Sequence, residues 1–182
     1  MSSETFVSAM LLITGVVAAA ILIVAVLPVI WGMVGTFSSA SAATDRSMRT
    51  DFKIVTTYAK WLGAPGTTGV SFTIWMKNIG TARMGTSEIS SADVYLGRSD
   101  NFVRANLTTP YYYTPVLRST ATKWNYSIIG DLNSNSIWET GETLQVDAFF
   151  YWLPGTSQSG QPMYFQFTLP SGVSRSSEFT AI

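Results

Sequence analysis

Residues 6–34 are almost continuously apolar (FVSAMLLITGVVAAAILIVAVLPVIWGMV), and no charged residue stands between Glu4 and Asp45. Such a run predicts a membrane-length helix, because about 20 apolar residues cross a bilayer core. At about 1.5 Å per residue it extends roughly 44 Å. The hydrocarbon layer is only about 30 Å thick, so the surplus must tilt or project into protein. Inside the run, Thr14 and Ala18, and Gly15 and Ala19, place small residues four apart. That spacing lets helices approach closely in lipid, although an ordinary anchor would carry the same alanines. Pro28 removes a backbone donor and predicts a kink near the exit. Trp31 stands where an interfacial anchor would. Gly32, Gly35 and the Ser/Ala run at 38–43 predict a loosening into a polar linker.

The texture changes at residue 51. Short β-type segments are predicted at 51–59, 70–78, 92–96, 111–117, 123–129, 143–152, 162–169 and near 173–180. Val70, Phe72, Ile74 and Met76 alternate with Ser71, Thr73, Trp75 and Lys77. Leu144, Val146, Ala148 and Phe150 alternate with Gln145, Asp147 and Phe149. A period of two is that of a strand with one buried face. Turn-rich separators stand at 63–66, 78–80, 154–155 and 170–172. Seven or eight short strands over about 130 residues predict an immunoglobulin-like antiparallel sandwich. The expected fold class is thus α+β in two parts: a long N-terminal hydrophobic helix, then an all-β sandwich. The expected division is 1–36 hydrophobic helix, 37–50 polar linker and 51–182 β domain.

Composition narrows the function. The 182 residues contain no cysteine and no histidine. Disulfides, thiolate nucleophiles, Cys/His zinc sites and imidazole bases are therefore excluded. Charged residues make up 12% of the chain, about half the usual share, and the mean hydropathy is +0.23. Eleven basic and eleven acidic residues leave a net charge of zero, which argues against nucleic acid as partner. No phosphate loop, dinucleotide fingerprint or nucleophile elbow occurs, and the carboxylates Glu88, Asp93, Asp100, Asp147 and Glu178 lie in separate segments. No enzyme is expected.

One constellation offers metal chemistry. Asp131, Asn133, Asn135, Glu139 and Glu142 place oxygen side chains at positions 1, 3, 5, 9 and 12 of a twelve-residue window. Ile137 stands at position 7, where a calcium loop needs only a backbone carbonyl. The pattern resembles an EF-hand loop. It departs at position 6, which is Ser136 rather than glycine, and in its strand-like flanks. Structural calcium and a plain hairpin loop with Asx-turns are both open. Asn106-Leu-Thr108 and Asn125-Tyr-Ser127 are glycosylation sequons. Tyr111-Tyr-Tyr113 is a candidate aromatic binding cluster or a set divided between core and surface.

Orientation signals conflict. Arg46, Arg49 and Lys53 follow the apolar run and nothing basic precedes it, which by the positive-inside tendency places the C-terminal side in the cytoplasm. Domains of this size cross largely regardless of charge, so an external β domain is expected. A cleaved secretory signal is not expected, because the run is too long and has no basic n-region.

The segments 4–23 (ETFVSAMLLITGVVAAAILI), 35–55, 72–84 (FTIWMKNIGTARM), 91–97 (SADVYLG), 137–146 (IWETGETLQV) and 164–180 together resemble the archaellin-like branch of the type IV pilin superfamily. Within it, their order and spacing are similar to the archaellum accessory proteins F and G, and nearer to G. The resemblance implies a non-enzymatic component of an archaeal swimming filament, acting as anchor, stator or minor subunit. It implies partners among other archaellum subunits through the N-terminal helix, the membrane, a surface-layer protein, and homo- or hetero-oligomers. It implies a sandwich outside the cell membrane or a place within the filament. Major archaellins carry a short basic leader, which this chain does not show, so the accessory type is the expectation. A major archaellin, an adhesive pilin and a membrane-anchored calcium-dependent binding domain are the alternatives.

Overall fold

The computed structural model describes residues 3–64, 67–108, 121–131, 133–152 and 157–182, with side chains described at all of these except 63, 64, 67 and 68. The chain divides into two units, Met1–Asp45 and Arg46–Ile182.

Helix α1 spans Ser3–Arg49, 47 residues, without interruption. It therefore continues through Pro28 and, up to Arg49, through the segment expected to be a polar linker, 37–50. The reason is local. Hydroxyls that would compete for the backbone turn back onto it instead: Thr36 Oγ1 donates to the Gly32 carbonyl at 2.7 Å and Thr44 Oγ1 to the Ala40 carbonyl at 2.9 Å. Alanine at 40, 42 and 43 supplies the best intrinsic helix former. No residue of α1 is buried.

The second unit is a two-sheet sandwich. One sheet has the order β1 (Phe52–Ala64), β2 (Thr67–Asn78), β7 (Thr143–Tyr151), β6 (Lys123–Ile129) and β5 (Asn106–Leu107). The other has β4 (Asn101–Arg104), β3 (Asp93–Arg98), β8 (Pro162–Thr168) and β9 (Ser174–Thr180). All pairings are antiparallel except the two-residue β5–β6 ladder, which is parallel. A short helix, α2 (Thr86–Ser90), precedes β3. Neither α2 nor β4 and β5 is predicted by the pattern, since each is too short to show a period. The predicted strand at 111–117 lies outside the described residues, as do Tyr111–Tyr113.

The alternating positions face inward as expected. Val70, Phe72, Ile74 and Met76 of β2 and Leu144, Val146, Ala148 and Phe150 of β7 meet Val94, Leu96, Met163, Phe165 and Phe167 of the second sheet. Phe52 binds the layers together, edge-on to Phe167 at 5.7 Å and tilted against Trp138 at 5.8 Å. Aromatic pairs of this geometry add about 0.5–1.5 kcal/mol beyond their burial. Strand β1 carries a bulge between Ile54 and Thr56. It inserts one residue and so reverses which side chains face the core. Phe52 and Ile54 point inward before it; Ala59 and Trp61 point inward after it.

Candidate functional site

The longest continuous surface of one chemical character is the α1 helix. Large apolar side chains from Phe6 to Phe37 are exposed along it, among them Leu11, Leu12, Val24 and Trp31 at 69–71% of their accessible area. A soluble monomer does not leave a contiguous apolar surface of this size in water. Its chemistry fits lipid or the apolar faces of other helices. The helix is long and apolar enough to cross a membrane by length and composition. Thr14, Gly15, Ala18 and Ala19 all lie exposed on it. Thr14 satisfies its hydroxyl internally, on the Met10 carbonyl at 2.9 Å. Nothing lies within 4 Å of where a Gly15 side chain would begin, so this patch is open to a close helix approach.

The 131–142 loop is held mainly by its own N–H groups. Asp131 accepts the Asn135 amide at 3.2 Å on one oxygen and the Ser136 amide at 2.9 Å on the other. Asn133 Oδ1 accepts from the Asn135 amide, and Asn135 Oδ1 from the Ile137 amide at 2.8 Å. Ser136 makes the turn expected to need glycine, at φ 57°, with Ser134 at φ 52°. Asp131's hold on the Ser136 amide offsets the modest cost of that left-handed conformation.

The later acidic positions look elsewhere. Glu139 is ion-paired to Arg83 and accepts the Asn135 side-chain amide at 3.0 Å. Its pKa is lowered, first by the Arg83 hydrogen bond and then by Asn135. Glu142 accepts the Glu139 backbone amide at 2.8 Å. Among the described residues no group of three or more acidic side chains is disposed to hold a metal ion. A cation that used Glu139 would compete with Arg83 for it.

The loop is anchored by two residues that the sequence pattern does not single out. Trp138 is fully buried and its Nε1 donates to the Glu142 carbonyl at 3.0 Å. Asn78 is equally buried: Nδ2 donates to the Ala82 and Trp138 carbonyls at 2.9 and 3.1 Å, and Oδ1 accepts the Gly80 amide at 3.0 Å. Beyond it, the amides of Thr81 and Ala82 donate to the Arg49 carbonyl at 2.9 and 3.0 Å. A side chain at Gly80 would begin 2.3 Å from that same carbonyl, so glycine is required by the close approach of two backbones. Asn78 thus ties the metal-like loop to the turn that caps residues 46–49. An Asn-x-Gly next to a strand end is its only sequence signal.

The sequon residues differ in setting. Asn106 is exposed on β5, whereas Asn125 is half-buried on β6 and its Oδ1 accepts the Tyr126 amide at 2.7 Å. A groove of about 310 Å³ opens beside the β1 bulge, lined by Lys53, Thr56, Thr57, Arg175, Ser176 and Ser177 among others. Arg175 is tied to Asp51 at 2.5 Å and to the Phe52 carbonyl at 3.1 Å.

No family model matches the chain. A protein of Archaeoglobus fulgidus without assigned function is 26% identical over 146 residues, 80% of each chain. Among solved structures, a chain of the archaeal flagellum of Methanospirillum hungatei aligns with a TM-score of 0.63 at 12% identity, covering 100% of this chain and 94% of that one. The crystal structure of archaeal flagellin FlaB1 from Methanocaldococcus jannaschii aligns with a TM-score of 0.51 at 13% identity, covering 72% and 90%. The archaellum periplasmic stator protein FlaG from Sulfolobus acidocaldarius aligns more loosely, with a TM-score of 0.45 at 15% identity over 71% and 99%. The chain has the archaellin-like fold, a long apolar N-terminal helix followed by an immunoglobulin-like sandwich.

Proposed function

We propose that this chain is a structural, non-catalytic component of the archaellum, assembled through α1 with other archaellum subunits. The observation that carries the reading is the alignment of helix and sandwich together, over the whole chain, with a subunit of an archaeal flagellum. The physics supports it. A helix with no charge between Glu4 and Asp45 and no buried residue must be covered, and neighbouring helices or lipid cover it. Placement follows: α1 lies in the membrane or the filament interior, and the sandwich stands outside the cell membrane. A contact between the sandwich and a surface-layer protein belongs to the same proposal and rests on the sequence resemblance alone.

Deleting the gene in its host tests this. Cells should lose swimming, with bald cells if the chain builds or assembles the filament and normal filaments if it acts in anchoring. Cells that swim normally and carry ordinary filaments would sink the proposal.

A further inference from the structure

All four lysines of the chain, Lys53, Lys60, Lys77 and Lys123, project from one surface, the outer face of the five-stranded sheet. Register fixes this. Lys53 stands opposite Lys77, and Lys60 shares its row with Ser71, Phe149 and Lys123. Lys53 and Lys60 are an odd number of residues apart and would face opposite ways on a regular strand. The bulge between Ile54 and Thr56 supplies the extra residue that brings them to the same side. The lysines stand on β1, β2 and β6; across these strands and β7 between them, the outer face has one carboxylate, Asp147, and no arginine. None of the four lysines forms an ion pair among the described residues. A neutral chain therefore presents a face of net positive charge. Its rows span roughly 14 Å across three strand intervals and its columns roughly 20 Å along β2.

The middle of the face is polar around two aromatic side chains. Its two central rows are Tyr58–Thr73–Asp147–Asn125 and Thr56–Trp75–Gln145–Ser127. They contain no aliphatic side chain. What they contain is an aromatic pair set among amides and hydroxyls. Trp75 is held in place: its Nε1 donates to Gln145 Oε1 at 3.1 Å, Gln145 Nε2 donates to Asp147 Oδ2 at 2.7 Å, and Thr73 donates to Asp147 Oδ1 at 2.9 Å. Trp75 is half-buried. Tyr58, on the neighbouring row, is 41% exposed.

We propose that this face binds an acidic polysaccharide, its sugar rings stacking on Trp75 and Tyr58 and its carboxylates meeting the lysines. Pyranose C–H groups carry partial positive charge and suit the negative face of an aromatic ring. Lysine is a point charge that makes no bidentate demand, as suits carboxylates spaced along a flexible chain. The amide and hydroxyl groups between the two features offer the few orienting hydrogen bonds a ligand site needs. Neither the lysines nor the aromatic pair depends on what α1 assembles with.

The test uses the full chain in detergent micelles and immobilised polygalacturonate, with pullulan and poly-L-glutamate as competitors. The unmodified chain should bind, and neither competitor should displace it at equal mass. Lys53→Gln/Lys77→Gln should weaken binding by at least about tenfold, a loss of 1.4 kcal/mol. Trp75→Ala should do the same at an unchanged unfolding temperature, and Tyr58→Ala serves as the second aromatic variant where Trp75→Ala does not fold. Absence of binding at millimolar uronate overturns the proposal. So does full displacement by poly-L-glutamate, which would assign the face to an acidic protein, or by pullulan, which would make the lysines irrelevant. Binding that survives the lysine pair or the aromatic substitutions overturns it as well.

Discussion

The two units of this chain solve the same problem in opposite ways. The sandwich carries its apolar side chains on alternate positions and buries them in itself, with Phe72, Ile74, Leu144, Phe165 and Trp138 fully enclosed. The helix carries apolar side chains all round and encloses none of them. In the sandwich the hydrophobic driving force is satisfied by its own fold. In the helix it stays unsatisfied until lipid or another helix arrives. A chain that keeps these two uses of apolar surface apart is suited to assembly by one part and recognition by the other.

The largest effect should come from separating them. Residues 46–182 alone should be monomeric and folded in plain buffer, whereas the full chain should require detergent or self-associate. Analytical ultracentrifugation decides this. A full chain that stays monomeric without detergent, or a truncated one that aggregates, would break the contrast. A smaller effect comes from the sandwich itself. Trp138→Ala removes the side chain that joins Phe52 to the 131–142 loop and should lower its stability by about 3–5 kcal/mol in denaturant unfolding. Because α1 contributes nothing to that core, its helical circular dichroism in detergent should not change.

The reverse substitution acts on the helix only. Ala18→Arg places a charge within the apolar run, at about 2.5–3.5 kcal/mol near a helix centre in a bilayer. It should impair membrane insertion or assembly, read by flotation with vesicles, while the unfolding midpoint of the sandwich stays the same. A shift in that midpoint would mean that the helix and the sandwich do share energy.

The contrast is written in the sequence to different depths. A charge-free run of 29 residues, almost all apolar, announces a helix, and period-two alternation announces β2 and β7, because both signals repeat. The end of α1 is not legible: Ser, Thr and Ala at 36–44 serve a linker or a helix equally well, and only the back-bonded hydroxyls decide. Asn78 is invisible as a hub because its partners Ala82, Trp138 and Gly80 converge only after β2 turns back on the loop. The lysine face lies hidden for a related reason. The core positions 52 and 54 and then 59 and 61 change parity, which is a bulge written in apolar residues, and Lys53 and Lys60 obey the same change. The calcium-like spacing at 131–142 counts oxygens and nothing else. Spacing says nothing of where Arg83 will stand.

Arg83 provides the smallest and most local experiment. Glu139 titrates below the usual carboxylate range because Arg83, and then Asn135, hydrogen-bond its charged form. A carboxyl group whose folded value lies below its unfolded one adds stability above the unfolded value, and that stability is lost as the pH falls through the folded one. The group is solvent-accessible, so screening keeps the contribution small, and the residue's own titration is the better readout. Carboxyl carbon chemical shifts of Glu139 tracked from pH 7 to pH 2 should show its titration moving upward in Arg83→Gln. Identical titration in both proteins would mean that Arg83 does not hold the carboxylate. The same variant sharpens the comparison between the loop and a calcium site. With Arg83 gone, Glu139 becomes available to a cation. Millimolar calcium that perturbs Glu139, Asp131 and Glu142 together in the variant, but not in the unmodified chain, would show that one arginine separates a hydrogen-bonded loop from a metal site. Calcium that leaves the loop untouched in both would establish that its oxygens serve the turn alone.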